Sequence, residues 1–317
     1  MKKNFAIILG VLFLAACGPE KEVDINYQLT ANVSVSSVVQ GMRVANNKDY
    51  YTKDSKDPVQ LTCLVYDSRG NLVYETEKKL ENFFEDWSYS TSIEGGNYTL
   101  VTWACIYYSG KQTWVSKDKN SLSTLKLVLN SDIDATTKPI LGVDKKSVSL
   151  NDSETVKLDV QTVGCFFSIC FNYPSTTNAD IVYCVSDEDS DTYTVDTGRS
   201  DYYVDSDDGA WEMMFELDKK YAGIYFSAFT LPMDQNIFWA VFDSNINLLD
   251  PPGVNSFTLR AEAAKHQFID VDIVTKAVTP TTFRSSGLPE SSGKQQVFDV
   301  GKMKSESAHK LLDSLRR

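Results

Sequence analysis

An all-β chain, folded as two successive antiparallel β-sandwiches, is what this sequence predicts, and three observations predict it. Period-two alternation rich in Val, Ile, Thr, Tyr, Phe and Trp recurs along the chain, the pattern of half-buried strands. The runs are punctuated by Gly, Asn, Asp and Pro at intervals of about ten to fifteen residues, as in sandwiches and barrels. No convincing amphipathic helical run lies between them, which argues against βαβ units.

The first strand is expected over 32–38, where Val33 and Val35 alternate with Asn32, Ser34 and Ser36 and β-branched side chains suit the pleat. Residues 59–66 and 72–76 flank Asp67-Ser68-Arg69-Gly70-Asn71, two apolar runs around a Gly-containing turn, and predict a hairpin. An aromatic strand follows over 83–92, then Gly95-Gly96-Asn97 punctuates before the longest run, 98–108, and 122–129 alternates again. The polar stretch from Asn130 to Pro139 places a domain boundary between 137 and 138, since such stretches carry few packing contacts. Further strands are expected over 147–150, 155–163, 165–171, 181–185, 211–217, 223–231, 237–242, 256–260 and 267–275. Beyond Lys276 the composition turns to Thr, Ser, Pro and Gly, a surface tail in which Met303, Leu311, Leu312 and Leu315 suggest a short amphipathic helix. The expected organisation is a signal peptide at 1–16, domains at 17–137 and 138–276, and a tail at 277–317.

Composition narrows the function. With 42% apolar residues, 16 Tyr, 16 Phe and 5 Trp, the chain can bury a substantial core. Its formal net charge of −12 repels phosphate backbones and excludes nucleic acid as an expected partner. Only two histidines are present, His266 ahead of a strand among Ala and Lys, where a surface position is expected, and His309 in the tail, which leaves metal sites and Ser-His-Asp catalysis short of parts. There is no Gly-x-Ser-x-Gly elbow, phosphate-cradling Gly loop or His-Glu-x-x-His. No enzyme is expected, and no catalytic residue, metal or cofactor is assigned. Asp187, Asp189 and Asp191 alternate as in a calcium loop, but Thr192 stands where the loop needs Gly and Gly198 where it needs Glu. A solvated acidic hairpin or loop is the expectation there. Cys63, Cys105, Cys165, Cys170 and Cys184 are odd in number and include no Cys-x-x-Cys. Cys63 and Cys105, inside strand-like runs, are expected as small core residues rather than bridges.

The N-terminus sets the compartment. Lys2 and Lys3 precede an apolar stretch over 5–16, a secretory signal too short to span a bilayer permanently. Its end, Leu14-Ala15-Ala16-Cys17, resembles the bacterial lipobox, in which the Cys thiol is acylated and becomes the new N-terminus. Several acyl chains at Cys17 anchor stably where one would not. Glu20, Glu22 and Asp24 follow closely, similar to the surface-export signal of Bacteroidetes lipoproteins or, equally, an acidic solvated tether. The expected location is the outer membrane, lipid-anchored and surface-exposed.

Of the five tryptophans, Trp103 and Trp239 lie in apolar runs and are expected in the core. Trp87, Trp114 and Trp211 have polar neighbours and are the candidate ligand-contact aromatics, able to stack sugar rings if exposed. Core or rim packing is the ordinary alternative for each.

Behind the lipobox come Leu-Val-Tyr-Asp-Ser-Arg-Gly-Asn-Leu-Val-Tyr at 64–74 and Ile-Glu-Gly-Gly-Asn-Tyr-Thr-Leu-Val-Thr-Trp at 93–103. This order resembles the Bacteroidales fimbrillin superfamily, most of all its anchor-type minor subunits of type V fimbriae, at Asp67, Gly70, Gly96, Tyr98, Leu100 and Trp103. The resemblance covers roughly residues 17 to 137, and no sharp motif extends it into the second half. It implies two transthyretin-like β-sandwich domains and a role as a structural or anchoring fimbrial subunit. The implied partners are the outer membrane, through the lipid, and other fimbrial subunits. In polymerising members an N-terminal strand is lost by cleavage after an Arg, and the groove accepts a strand from the next subunit. Arg43, in Gly-Met-Arg-Val, is the candidate for such a cleavage point or, in an anchor, which keeps its lipid and the bond intact, an ordinary loop arginine. A surface glycan-binding lipoprotein of a polysaccharide-uptake system is the alternative, favoured by a coplanar row of exposed aromatics and disfavoured by scattered burial.

Overall fold

The computed structural model describes residues 25–42, 51–130, 139–186, 188–204, 211–245, 247–249 and 255–281. Cys17, Arg43 and the helix expected near the C-terminus lie outside the described residues. In chain order the strands are β1 (Asn26–Ser34), β2 (Val59–Tyr66), β3 (Leu72–Leu80), β4 (Trp87–Glu94), β5 (Gly96–Tyr108), β6 (Lys111–Gln112), β7 (Trp114–Lys117) and β8 (Lys126–Leu129). Then come β9 (Leu141–Leu150), β10 (Glu154–Asp159), β11 (Gln161–Thr162), β12 (Cys165–Asn172), β13 (Ile181–Ser186), β14 (Glu188–Thr194) and β15 (Arg199–Val204). The last are β16 (Trp211–Glu216), β17 (Gly223–Thr230), β18 (Met233–Phe242), β19 (Asn255–Ala261), β20 (His266–Asp272) and β21 (Val278–Thr281). The only helical elements among the described residues are two short 3-10 turns, so the all-β expectation holds. No helix among them is long and apolar enough to cross a membrane.

The first core is layered on both faces of one sheet. That sheet runs β11-β9-β5-β2-β3, with β6 appended to β5. Its strand β2 is buried at every position, so apolar residues occupy both faces and the alternation typical of a half-solvated strand is lost. On one side lies the sheet β10-β1-β4. Tyr74 on β3 stacks on Tyr89 of β4 with ring centroids 5.9 Å apart. On the other side lies β7-β8-β14-β15: Cys105 Sγ on β5 is 3.7 Å from the Trp114 carbonyl of β7. The second core is built from β17-β12-β20-β21 and β16-β13-β18-β19. There Phe167, Ile169 and Phe171 of β12 pack with Trp239 and Val241 of β18.

The structure moves two expected boundaries. The break at 137/138 falls inside the first core, because β9 pairs with β5 along ten residues and β10 pairs with β1. Residues 141–162, assigned by sequence to the second domain, therefore complete the first layers. A polar stretch signals a chain that leaves a sheet; it does not say whether the chain returns to the same one. Residues 278–281, expected in the tail, form β21, which pairs antiparallel with β20. The acidic segment does form a hairpin, but not a wholly solvated one: Tyr193 and Val195 are buried in the first core.

Two elements are shorter or shifted from expectation for local reasons. The first strand starts earlier and ends at Ser34, where the chain turns through Ser36–Val38. That turn drops Val38 against Gly142 of β9, where an added Cβ would lie 2.3 Å from Val38 Cγ2. Leu122–Thr124 forms a 3-10 turn before β8 instead of continuing as strand. There Leu122 N–H donates to the Gly70 carbonyl at 2.8 Å, tying the turn to the β2–β3 loop.

An internal repeat also emerges. Val-Tyr-Asp-Ser-Arg-Gly-Asn-Leu-Val at 65–73 is matched by Val-Phe-Asp-Ser-Asn-Ile-Asn-Leu-Leu at 241–249. Both begin on the buried last residues of a strand, β2 in the first core and β18 in the second.

Candidate subunit-contact site

The first strand among the described residues sits in a groove. β1 runs antiparallel to β4, with Asn26 opposite Glu94 and Val33 opposite Trp87. On its other side it runs parallel to β10, with Leu29 opposite Glu154 and Ser34 opposite Asp159. The period-two pattern of Leu29, Ala31 and Val33 against Thr30 and Asn32 dictates which face enters. Leu29 and Ala31 are 0% exposed and Val33 is 2% exposed, while Gln28 and Asn32 face solvent. The apolar stripe is thus a structural part of the first core, in which burying one large aliphatic side chain stabilises by about 1.5–3 kcal/mol.

Polar contacts fix its register. Thr30 Oγ1 and Ser90 Oγ are 2.8 Å apart across the β1–β4 pair. Gln28 N–H donates to Ser153 Oγ at 3.2 Å, and Val160 N–H donates to the Ser34 carbonyl at 3.0 Å. At the opening, Gly95 N–H donates to the Ile25 carbonyl at 3.1 Å. A Cβ on Gly95 would stand 3.0 Å from the Tyr27 ring, so the turn before β5 is made close to β1 by a residue without a side chain.

Of the candidate ligand-contact tryptophans, Trp87 and Trp114 are both drawn into packing. Trp87, at the start of β4, is half-buried. Its ring lies 5.3 Å from Tyr89 at 32°, and Tyr89 in turn stacks on Tyr74. These rings cover one another's faces, and the Tyr89 hydroxyl is buried with no hydrogen-bond partner among the described residues. Trp114 is 1% exposed. Its indole N–H donates to the Pro139 carbonyl, so the ring closes the first core and presents no face to a ligand; its polar neighbour Thr113 is buried too. Trp211 begins β16 in the second core's sheet. Trp103 and Trp239, expected inside, are buried.

His266 differs from the surface residue expected. It is wedged 4.7 Å from Phe166 and stacked 4.0 Å from Phe268. Its Nε2 is 3.1 Å from Ser168 Oγ, which is itself 2.7 Å from Ser227 Oγ. The strand pairing responsible, β12 between β17 and β20, is long-range and leaves no sequence signal. Among the described residues no group of three or more His, Cys, Asp or Glu has metal-site geometry. All five described cysteines are unbridged and buried. Burial pushes the Cys63 and Cys165 thiols up to about 12 and Cys105 up to about 11, since desolvation disfavours the thiolate.

Comparison with known proteins bears on the fold. No protein-family model and no curated protein matches the chain. Among solved structures, a candidate polysaccharide-binding protein from Bacteroides thetaiotaomicron VPI-5482 superposes with a TM-score of 0.50 at 11% identity, over 81% of this chain and 96% of that one. A candidate adhesin from the same organism gives 0.48 at 10% identity, over 83% and 98%. The tip fimbrial protein from Porphyromonas gingivalis, with C-terminal truncation, gives 0.40 at 10% identity, over 81% and 98%. The chain shares the fold of the first of these Bacteroides proteins.

Proposed function

We propose that this chain is a lipoprotein of the outer membrane, acylated at Cys17, and a non-catalytic structural or anchoring subunit of surface fimbriae. The observation that carries the reading is the burial of β1 between β4 and β10. This strand begins nine residues after Cys17 and ends nine before Arg43. Cleavage after Arg43 would release the lipid together with β1 and open the first core. An anchor must keep both, and a β1 with full apolar burial and paired edges on either side is suited to being kept. Partner strands then join at other sheet margins, where unpaired backbone groups accept an added strand.

The test is N-terminal analysis and intact mass of the protein recovered from cell envelopes. The expected result is a chain beginning at acylated Cys17, with Arg43-Val44 uncut. A chain beginning at Val44 would overturn the anchor assignment. Deleting the protein is expected to release fimbriae into the medium or change their length.

The glycan-binding alternative is less well supported. A stacking platform needs ring faces open to solvent, whereas Trp87, Tyr89 and Tyr74 are turned onto one another and Trp114 is enclosed. Affinity electrophoresis on polysaccharides is expected to show no retardation.

A further inference from the structure

The chain passes between the two cores three times among the described strands: from β11 to β12, from β13 to β14, and from β15 to β16. The second and third passages are the two legs of the β14–β15 hairpin. This hairpin leaves the second core, adds to β8, and returns. Thr192, Tyr193 and Thr194 pair with Val128, Leu127 and Lys126, and Val195 N–H donates to the Leu125 carbonyl at 3.2 Å. Tyr193 and Val195 are buried within the first core. At the hairpin's turn, Lys145 Nζ of β9 donates to the Asp196 carbonyl at 2.6 Å. Lys126 Nζ lies 2.7 Å from Asp201 Oδ2.

The seam is apolar as well. Phe166, Phe229 and Leu231, all on strands or turns of the second core's sheet, pack with the first core. Ser200 Oγ on β15 donates to the Pro232 carbonyl at 2.9 Å, joining the hairpin to the β17–β18 turn. The direct passage is equally tight: a Cβ on Gly164 would meet Phe229 Cζ at 2.1 Å and the Thr230 carbonyl at 2.6 Å.

We infer that the β14–β15 hairpin is a clasp that removes the hinge between the two cores, so that they open as one cooperative body. Sandwiches joined by one linker move relative to each other by default. Here separation requires stripping β14 from β8 and withdrawing Tyr193 and Val195 from a packed layer. A body of this kind passes a load from one end of the chain to the other without a compliant joint. The inference stands on the strand pairing and does not depend on the fimbrial reading.

The buried thiols report on each core without added probes: Cys63 and Cys105 in the first, Cys165 and Cys184 in the second. The mature-length chain carrying Cys17→Ser is equilibrated across a urea series, pulsed with an alkylating reagent, and read thiol by thiol by mass spectrometry. The expected result is one shared midpoint for all four thiols. In Tyr193→Ser the single midpoint is expected to split, with the first-core thiols labelled at lower urea. If that variant does not fold, the oxidised double variant Val128→Cys, Thr192→Cys, which staples residues already opposite each other, is expected to raise all four midpoints together. Separate midpoints in the parent chain, an unsplit midpoint in folded Tyr193→Ser, or a staple that protects only Cys63 and Cys105 would each overturn the clasp.

Discussion

Asp67 and Asp243, in different cores, hold the same five-residue loop. Asp67 Oδ1 accepts the N–H of Arg69 and of Asn71, both at 2.8 Å, while Asn71 Nδ2 donates to Oδ2 at 3.1 Å. Asp243 Oδ1 accepts the N–H of Asn245 at 2.9 Å and of Asn247 at 2.8 Å, and Asn247 Nδ2 donates to Oδ2 at 2.9 Å. Each Asp also donates its own N–H to the carbonyl of its Asn, at 2.9 and 3.1 Å. A carboxylate satisfying three donors substitutes for a turn of backbone hydrogen bonds.

These loops make stability depend on acid. Hydrogen bonds from Asn71, backbone then side chain, hold Asp67 below the usual carboxylate range, and those from Asn247, side chain then backbone, do the same for Asp243. Asp272 is lowered too, chiefly by the Thr275 N–H. A depressed folded pKa contributes stability that is fully present above the unfolded value of 3.8 and is lost as pH falls through the folded value. Thermal midpoints should therefore be flat from neutral pH down to about pH 5 with respect to these groups and fall below about pH 4. Asp67→Asn combined with Asp243→Asn should lower the neutral-pH midpoint and flatten that acid limb.

Leu29→Ala in β1 should destabilise the first core by about 2–5 kcal/mol in urea unfolding, the range for truncating a fully buried leucine. Asn32→Ala, one turn of the pleat away but facing solvent, should change stability by less than about 0.5 kcal/mol.

Two glycines are fixed by close approach rather than by backbone angle. Gly142→Ala puts a methyl 2.3 Å from Val38 Cγ2, and Gly164→Ala puts one 2.1 Å from Phe229 Cζ. Each should cost about 1–3 kcal/mol by overpacking, Gly164 the more because the Thr230 carbonyl, 2.6 Å away, is backbone and cannot swing aside. Calorimetry of the two variants checks the order.

A chain ending at residue 137, the boundary expected from sequence, should be insoluble or unfolded, because it lacks β9 and β10, which pair with β5 and β1. A chain ending at 281 should fold. Circular dichroism and size-exclusion chromatography distinguish the outcomes.

The five described thiols should resist Ellman's reagent at pH 8 in the folded Cys17→Ser chain and all react in urea. Reaction of any one in the native state would contradict the burial that raises Cys63, Cys105 and Cys165.

Strand identity was legible where the pattern is local. The runs at 59–66, 165–171 and 181–185 are strands within a residue of expectation, because a β-branched, apolar run between turn residues has few alternatives. The repeated Asp-Ser-x-x-Asn was equally legible, and comparing 65–73 with 241–249 finds it without coordinates. The acidic run around β14 was misleading: its charges at Asp191 and Asp196 are set among Tyr193 and Val195, which alternate inward. Average polarity hid a half-buried period of two.

By itself, the sequence determined the all-β class, the alternation at Val33 in the first strand, the hairpin at Asp67, and the residues on which lipidation at Cys17 is proposed. All of these are properties of neighbours along the chain, where side-chain periodicity and turn chemistry act directly. Tertiary structure alone decided that β9 and β10 return to the first core, that Trp114 is sealed, that His266 meets Ser168, and that β14–β15 crosses to β8. Each depends on which distant strand supplies the missing hydrogen bonds of an edge. Every backbone edge offers the same donors and acceptors, so that choice is made by the packing of whole layers and not by any local run of residues.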